Sequence, residues 1–338
     1  MARILVTGAN GFIGQHLVRR LLSEHHQIRC LKNSDLPLHF FDANDVEWRD
    51  SNLQDTNALR GICDNIDIVY HLGAIPRNDL SKTWDEFVAV NIKGTETLLK
   101  EARDSKVRRF VFISTVESAG YGDGKHPRAE SDPPNPDNNY GRSKLEAEKI
   151  VMNGAWNMEC VTIRLPMVYG PGTLLIVPKL FGMVKQGVYP LINKGDTLME
   201  FCYVENAVQG IVLCGEKLEA VGQLFYVSDE RSYSIKEVIS AVADSMGKKV
   251  LFVKIPRFFA LSIAVVWEAV SKILPFPPFT SPYSKKPFLT RETVWWTTNN
   301  VNIVSTEKIR NLLGFRPSIS IQAGCKATAE WLHSHSAI

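Results

Sequence analysis

The sequence predicts an α/β protein: a doubly wound parallel sheet with helices on both faces, followed by a smaller mixed α/β lobe. Three observations carry this. Short β-branched runs alternate with longer amphipathic segments through about residue 170, the texture of βαβ units. A glycine-rich turn, Thr7-Gly8-Ala9-Asn10-Gly11-Phe12-Ile13-Gly14, separates the first run from the first amphipathic segment. After Tyr169-Gly170-Pro171-Gly172 the alternation stops, and prolines and aromatics become locally dense.

The elements follow in order. Strands are expected at Arg3–Thr7, Ile28–Lys32, Val46–Arg49, Ile68–Leu72, Arg109–Ser114 and Glu159–Arg164, with helices such as Phe12–Leu22 and Trp84–Asp104 between them. Their crossovers are expected to be right-handed. Residues 1–170 form one expected domain, to which a stretch at about 200–230 returns. Residues 171–338 form mainly a lobe that closes over the sheet and shapes a substrate pocket. The one apolar helix there, Phe258 to Leu274, is 17 residues long and carries Glu268 and Lys272. That is short of a membrane span, so a core helix, a pocket lining or a peripheral membrane contact are its three readings.

Bulk composition narrows the class. Hydrophobic residues make up 45% and charged residues 22%, ordinary for a globular protein. With 39 basic and 36 acidic residues the formal charge is +3, which offers no case for nucleic acid or an anionic surface as partner. Six cysteines, at 30, 63, 160, 202, 214 and 325, lack C-x-x-C spacing and do not cluster with histidines. Buried free thiols in a reducing compartment, with no metal site, are the expectation. The first apolar run, Ile4 to Val6, ends in the glycine loop and does not read as a secretory signal, so a cytoplasmic location is expected.

The glycine loop follows a strand and opens a helix, the context that dinucleotide binding requires. Gly8 permits a sharp turn, Gly11 lets backbone approach a pyrophosphate, and Gly14 lets helix and strand pack closely. The helix N-terminus offers free N–H groups and partial positive charge. Farther on, "NNYGRSKLEAEKIV" sets Tyr140 and Lys144 four apart on one helix face. A free phenol has a pKa near 10, and an ammonium one turn away favours the phenolate, bringing proton exchange toward neutral pH.

The G-x-x-G-x-x-G spacing after Thr7, then the Tyr-x-x-x-Lys pair, resembles the extended short-chain dehydrogenase/reductase superfamily, the NAD-dependent epimerase/dehydratase family. The resemblance runs through most of the chain and implies a Rossmann-type cofactor domain holding NAD(P). It places the loop with Gly8, Asn10, Gly11, Phe12, Ile13 and Gly14 on the diphosphate. His71-Leu72-Gly73-Ala74 matches H-L-A-A after the fourth strand, so Leu72, Gly73 and Ala74 line the cofactor. Asn91 in "VNIKGT" steadies the active-site backbone, and backbone near Pro166 meets the nicotinamide. Thr115 matches the catalytic Ser/Thr beside Tyr140 and Lys144, and Ser114 the cofactor-side residue. Tyr140 and Lys144 also contact the nicotinamide ribose. Glu117 occupies the place of a dehydratase acid, but Val116 replaces its aspartate partner, so a dehydration mechanism is not expected.

Two departures concern the adenosine half. Asn52, ahead of Leu53, replaces the adenine-contacting acid. Lys32 stands where an acid would hold the ribose hydroxyls, followed by Asn33-Ser34-Asp35. A cation there favours a 2′-phosphate, giving NADP(H) an edge over NAD(H). On the substrate side, nucleotide-sugar enzymes of this type carry a pyrophosphate-binding arginine where this chain has Met199 or Glu200. Phe201-Cys202-Tyr203-Val204-Glu205-Asn206 is more similar to the 3β-hydroxysteroid dehydrogenase branch. The resemblance implies a dehydrogenase or reductase acting on a secondary alcohol or ketone of an apolar small molecule. The alternatives are a nucleotide-sugar 4-epimerase, with Arg291, Lys185 and Lys194 as possible phosphate ligands, and a dinucleotide-binding protein without catalysis. A homodimer is usual for the family.

Overall fold

The computed structural model describes residues 1–32, 36–76, 82–173, 176–273, 289–299 and 303–335. β1 (Arg3–Thr7) turns into α1 (Phe12–Ser23), then β2 (Gln27–Lys32), β3 (Glu47–Asp50) and β4 (Ile68–His71). A long helical segment comprises α2 (Trp84–Phe87), a π-helical stretch (Val88–Gly94) and α3 (Thr95–Asp104). β5 (Arg109–Thr115), a single turn at Val116–Ser118, α4 (Asn139–Met152), β6 (Glu159–Leu165) and β7 (Met167–Tyr169) follow. The remainder is α5 (Ile176–Lys185), β8 (Val188–Ile192), β9 (Leu198–Met199), β10 (Phe201–Tyr203), α6 (Val204–Glu216) and β11 (Leu224–Tyr226). Then come β12 (Tyr233–Ser234), α7 (Ile235–Ser245), β13 (Leu251–Ile255), α8 (Arg257–Ile273), α9 (Arg291–Trp296), α10 (Glu307–Leu313) and α11 (Ile321–Ser334).

Seven strands pair in the order β11-β6-β5-β4-β1-β2-β3, all parallel. The inner strands are buried on both faces, which is why they read as apolar runs, whereas the edge strand β3 is largely exposed. On one face Leu17, Val18 and Leu21 of α1 and Val208, Ile211 and Val212 of α6 pack on Ile4, Val6, Val111 and Ile113. On the other, Leu98 and Leu99 of α3 and Ala147 and Val151 of α4 pack on Leu5, Val69, Phe110 and Phe112. The strand order reverses between β1 and β4, so their carboxyl ends open a crevice at the switch point. All six cysteines are free and buried.

Two features depart from expectation. Trp84–Asp104 is not one regular α-helix: residues 88–94 widen into a π-helix. That stretch carries Asn91 toward the loop after β4 and sets Gly94 against Leu53, where a Cβ would lie 2.8 Å from Leu53 Cβ. The apolar helix α8 is the second. It buries Ala260 and Ala264 and leaves Phe258, Phe259, Val265 and Val266 exposed, so the core-helix reading is corrected. The rest of the lobe has a conventional core, with Phe181 and Val184 of α5, Val238, Ile239 and Val242 of α7, and Cys325 and Leu332 of α11. Among the described residues no helix is long and apolar enough to cross a membrane.

Candidate active site

The glycine turn forms a cradle that side chains would fill. Gly8 has φ +69°, and a Cβ on it would lie 3.0 Å from Gly73 N. A Cβ on Gly14 would come within 2.9 Å of Ala9 Cα and closer still to the Gly8 carbonyl. Gly11 caps α1 and brings no side chain to the first-turn N–H groups. A diphosphate fits such an end: closely approached backbone, first-turn N–H groups and the positive end of the helix dipole. Gln15 stiffens the surroundings. Its Nε2 donates to Asn10 O and Pro37 O at 3.0 Å, and its Oε1 accepts from His39 N at 2.8 Å. Phe12 and Ile13 are half-buried at the start of α1.

Between β1 and β4 a chain of hydrogen bonds fixes the crevice floor. Gly73 N donates to Thr7 Oγ1 (2.9 Å), which faces His71 Nδ1 (2.7 Å), while His71 Nε2 faces Thr95 Oγ1 (2.9 Å). Thr95 Oγ1 donates to Asn91 O (2.7 Å). One tautomer satisfies every member: His71 neutral, donating from Nε2 and accepting at Nδ1 from the Thr7 hydroxyl. Burial, with the Lys144 charge nearby, pushes the His71 pKa down to about 3, so the ring stays neutral. Leu72, Gly73 and Ala74 are half-buried along this floor.

On the adenosine side, Lys32 Nζ lies 3.5 Å from Asp50 Oδ1 and 5.8 Å from the Trp48 ring centroid. The cation at the end of β2 is thus shared with a carboxylate on β3. Asn52 is exposed and accepts Gln54 N at Oδ1 (3.0 Å). Leu53 is buried, filling the space beside Gly73 and Gly94. The stretch Asn33-Ser34-Asp35 lies outside the described residues.

Thr115 ends β5 and caps the turn Val116–Ser118, its Oγ1 accepting Glu117 N. Helix α4 begins against that turn. Asn138 caps α4 through Gly141 N (2.8 Å) and donates to Glu117 Oε2 (2.9 Å). Gly141 is required there, because a Cβ would collide with the Glu117 carbonyl. Tyr140, half-buried, sits at this junction. Asn91 spans to it from the π-helical stretch: its Oδ1 accepts Ile75 N (2.8 Å), and its Nδ2 donates to Ser143 Oγ (2.9 Å). Asn91 is a brace between the loop after β4 and helix α4. Pro166 is half-buried where β6 breaks from β7.

Lys144 is 2% exposed, and its Nζ stands 4.0 Å over the Phe112 ring. Burial pushes its pKa down to about 7, opposed by the Glu148 charge one turn along α4. Glu148 is itself held by Arg164, with Nη2 to Oε2 at 2.7 Å and Nε to Oε1 at 3.0 Å, and by the hydroxyls of Ser114 and Ser118, both at 2.5 Å. Ser114 therefore directs its hydroxyl into this network. Arg164 Nη1 also donates to Tyr226 OH (3.1 Å). The carboxylate and guanidinium largely cancel, so Lys144 remains a poorly stabilised buried cation, able to gain charge stabilisation from hydroxyl or phenolate oxygens.

On the lobe side, Met199 sits in β9, and Glu200 is buried. The Glu200 carboxylate accepts Ser228 Oγ (2.6 Å), Ser232 Oγ and Val304 N. Asn206 and Asp229 tie β10 and α6 to the segment before α11. Arg291 pairs with Glu268 at 2.8 Å, while Lys185 and Lys194 are exposed. The sequence did not single out Glu148 as a site member; its spacing four residues past Lys144 was the available signal. The pairing of His16 in α1 with Glu205 (2.7 Å) and Pro171 O (2.8 Å) had no local signal, since it joins distant segments.

A switch-point crevice, a glycine-lined helix end and a Tyr-x-x-x-Lys helix with a buried lysine define a dinucleotide-dependent enzyme of the extended short-chain type. Residues 4–227 match the NAD dependent epimerase/dehydratase family, and the chain belongs to it. It is 29% identical to a UDP-glucose 4-epimerase of Vibrio cholerae, over 97% of this chain and 94% of that one. It is 26% identical to 3beta-hydroxysteroid-dehydrogenase/decarboxylase isoform 2 of Arabidopsis thaliana, over 96% of this chain and 61% of that protein's length. The solved UDP-glucose 4-epimerase of Thermotoga maritima superposes with TM-score 0.76 at 21% identity, covering 99% of each chain.

Proposed function

We propose that the protein is an NAD(P)-dependent oxidoreductase that interconverts a secondary alcohol and a ketone on a largely apolar substrate. Thr115 and Tyr140 hold the reacting oxygen by hydrogen bonds. Tyr140 passes the proton at its phenolic oxygen. Lys144 lowers the phenol's pKa through its charge and bonds a ribose hydroxyl. Lys144 gains most as a charge when those oxygens are present, because the buried site alone holds it near neutrality. His71, Asn91 and Glu148 position these groups without touching substrate. When bound, the dinucleotide supplies the hydride donor or acceptor at its nicotinamide. Gly8 to Gly14 hold its diphosphate, and Leu72 to Ala74, with the backbone of Ser114 and Pro166, line the nicotinamide half. At the other end Asn52 and Leu53 face the adenine. Lys32 favours NADP(H), its cation meeting a 2′-phosphate in place of Asp50.

The observation that carries the apolar-substrate reading is Glu200. Where a diphosphate-binding arginine would stand, the chain has Met199 and a buried carboxylate held in place by Ser228 and Ser232. Neither residue offers a cation to a sugar diphosphate. The name of the Arabidopsis relative agrees in substrate class. The second reading, a nucleotide-sugar 4-epimerase, is favoured by the Vibrio relative over nearly the whole chain. A turnover panel of steroids, β-keto lipids and UDP-sugars, each with NAD(H) and NADP(H), decides between them. Dinucleotide-coupled turnover of an apolar ketone or alcohol is expected. Interconversion of UDP-glucose and UDP-galactose with no net change in NAD would replace it with the epimerase reading.

A further inference from the structure

Helix α8 has an inverted distribution of side chains. Its inward side is small, with Ala260 and Ala264 fully buried against Val294 of α9. Its outward side is large and apolar: Phe258 is 74% exposed, Phe259 60% and Val266 62%, with Ile263 and Val265 beside them. At 100° per residue these positions, with Ser262, Ala269 and Val270, span an arc of roughly 160° with no charged residue in it. A groove of about 330 Å³ runs along it between Ser262, Ile263, Val266, Trp267 and Val270. The two-stranded sheet ahead of α8 repeats the pattern. Leu251 pairs with Val188 and Val253 with Pro190, and all four are exposed.

The charge around this face is one-sided. Among the described residues from Gly247 to Arg291, five cations, Lys248, Lys249, Lys254, Arg257 and Arg291, are exposed and the one acid of that stretch is Glu268, whereas the whole chain is nearly balanced. Glu268 is bound by the Arg291 side chain and backbone, both at 2.8 Å. Lys254 and Arg257 are exposed at the start of α8, where Lys194, Lys254 and one acid, Asp196, border a shallow cleft. An apolar arc edged by cations and exposed phenylalanines suits one environment, the headgroup boundary of an anionic bilayer. A second copy of this chain would bring its own cations against these.

We propose that α8, with its flanking cations, docks the protein on an anionic membrane surface, the apolar arc entering the upper acyl region. The contact is not an isolated appendage. α8 packs on α9, and in α9 Trp296 Nε1 donates to Tyr121 OH (2.5 Å) while the Trp295 ring meets the Tyr121 ring at 4.8 Å. Tyr121 belongs to the segment that follows Thr115, so the membrane face and the catalytic loop share a packed connection. Docking goes beyond the oxidoreductase reading and stands without it; if both hold, a lipid-like ketone is taken from the bilayer itself.

The test is co-sedimentation of the full chain with vesicles of phosphatidylcholine, with and without phosphatidylglycerol. Binding to the anionic vesicles is expected, weakening as salt rises. Phe258→Ser with Val266→Ser should abolish it while dinucleotide binding and Tm stay at parent values, and Val265→Ser with Ile263→Ser is the second pair should the first fail to fold. Lys254→Gln and Arg257→Gln should each weaken it about fivefold. No sedimentation with either vesicle would overturn the proposal, as would apolar variants that bind like the parent. A dimer that these same variants dissolve would overturn it too, assigning the face to a second copy.

Discussion

Helices α4 and α8 break the same rule in opposite directions. α4 buries two ionisable side chains, Lys144 and Glu148, at 2% and 3% exposure. α8 buries alanines and exposes phenylalanine, isoleucine and valine. Neither arrangement stabilises the folded chain by itself, because buried charge costs desolvation and exposed apolar surface forgoes the hydrophobic gain. The difference shows what each helix is built to meet. α4 holds its charges within a satisfied network of Arg164, Ser114 and Ser118, which serves chemistry at a fixed point. α8 has a broad unspecific face, which suits the membrane adhesion we propose. Substitutions that separate chemistry from folding sharpen the contrast.

The largest effect belongs to Tyr140→Phe. Loss of a positioned proton donor should cut turnover by about 10²–10⁴ and leave dinucleotide affinity nearly unchanged, as read by single-turnover rates and a fluorescence titration. Retained turnover removes α4 from the mechanism. Gly14→Ala comes next. Its Cβ meets Ala9 Cα and the Gly8 carbonyl, so α1 must shift, costing roughly 1–3 kcal/mol together with dinucleotide binding. An unchanged Tm and dinucleotide affinity would show that the cradle has room.

Lys144 gives a pH signature. Its folded pKa of about 7 lies below the ordinary lysine value near 10.4. Between these values the unfolded chain binds the extra proton, so this group makes the dinucleotide-free protein more stable as pH rises, by up to about 1.4 kcal/mol per unit. Below pH 7 it is charged in both states and the slope vanishes. Urea unfolding of parent and Lys144→Met at pH 7, 8 and 9 should show the difference moving in the parent's favour with pH. A constant difference contradicts the buried, half-neutral amine. The smallest effect is Phe258→Ser on α8, which should leave stability within about 0.5 kcal/mol. A loss of several kcal/mol would mean that this face is core after all.

Much of the cofactor half was legible because its constraints are local. Glycine spacing, strand ends and the four-residue step from Tyr140 to Lys144 all act within one turn or one loop. The inner strands of the sheet announced themselves because a sheet covered on both sides needs apolar runs, while the exposed edge strand β3 showed only through its place in the alternation. What stayed hidden was long-range or inverted. His71 joins β1 to the π-helical stretch through Thr7 and Thr95, and nothing near it in sequence marks those partners. Nothing near Ser114 in sequence announces that its hydroxyl bonds Glu148, which Arg164 holds beneath it. The composition of α8 leaves core, pocket lining and membrane contact open, and only the burial of its alanines shows which side faces out.

The most direct measurement is a crystal structure with bound NADP(H) or NAD(H). The account predicts the diphosphate on the backbone of residues 8–14, and the nicotinamide ribose within hydrogen-bond reach of both Tyr140 Oη and Lys144 Nζ, with Thr115 Oγ1 beside the ring. A dinucleotide lodged elsewhere, or a nicotinamide facing away from α4, would contradict it.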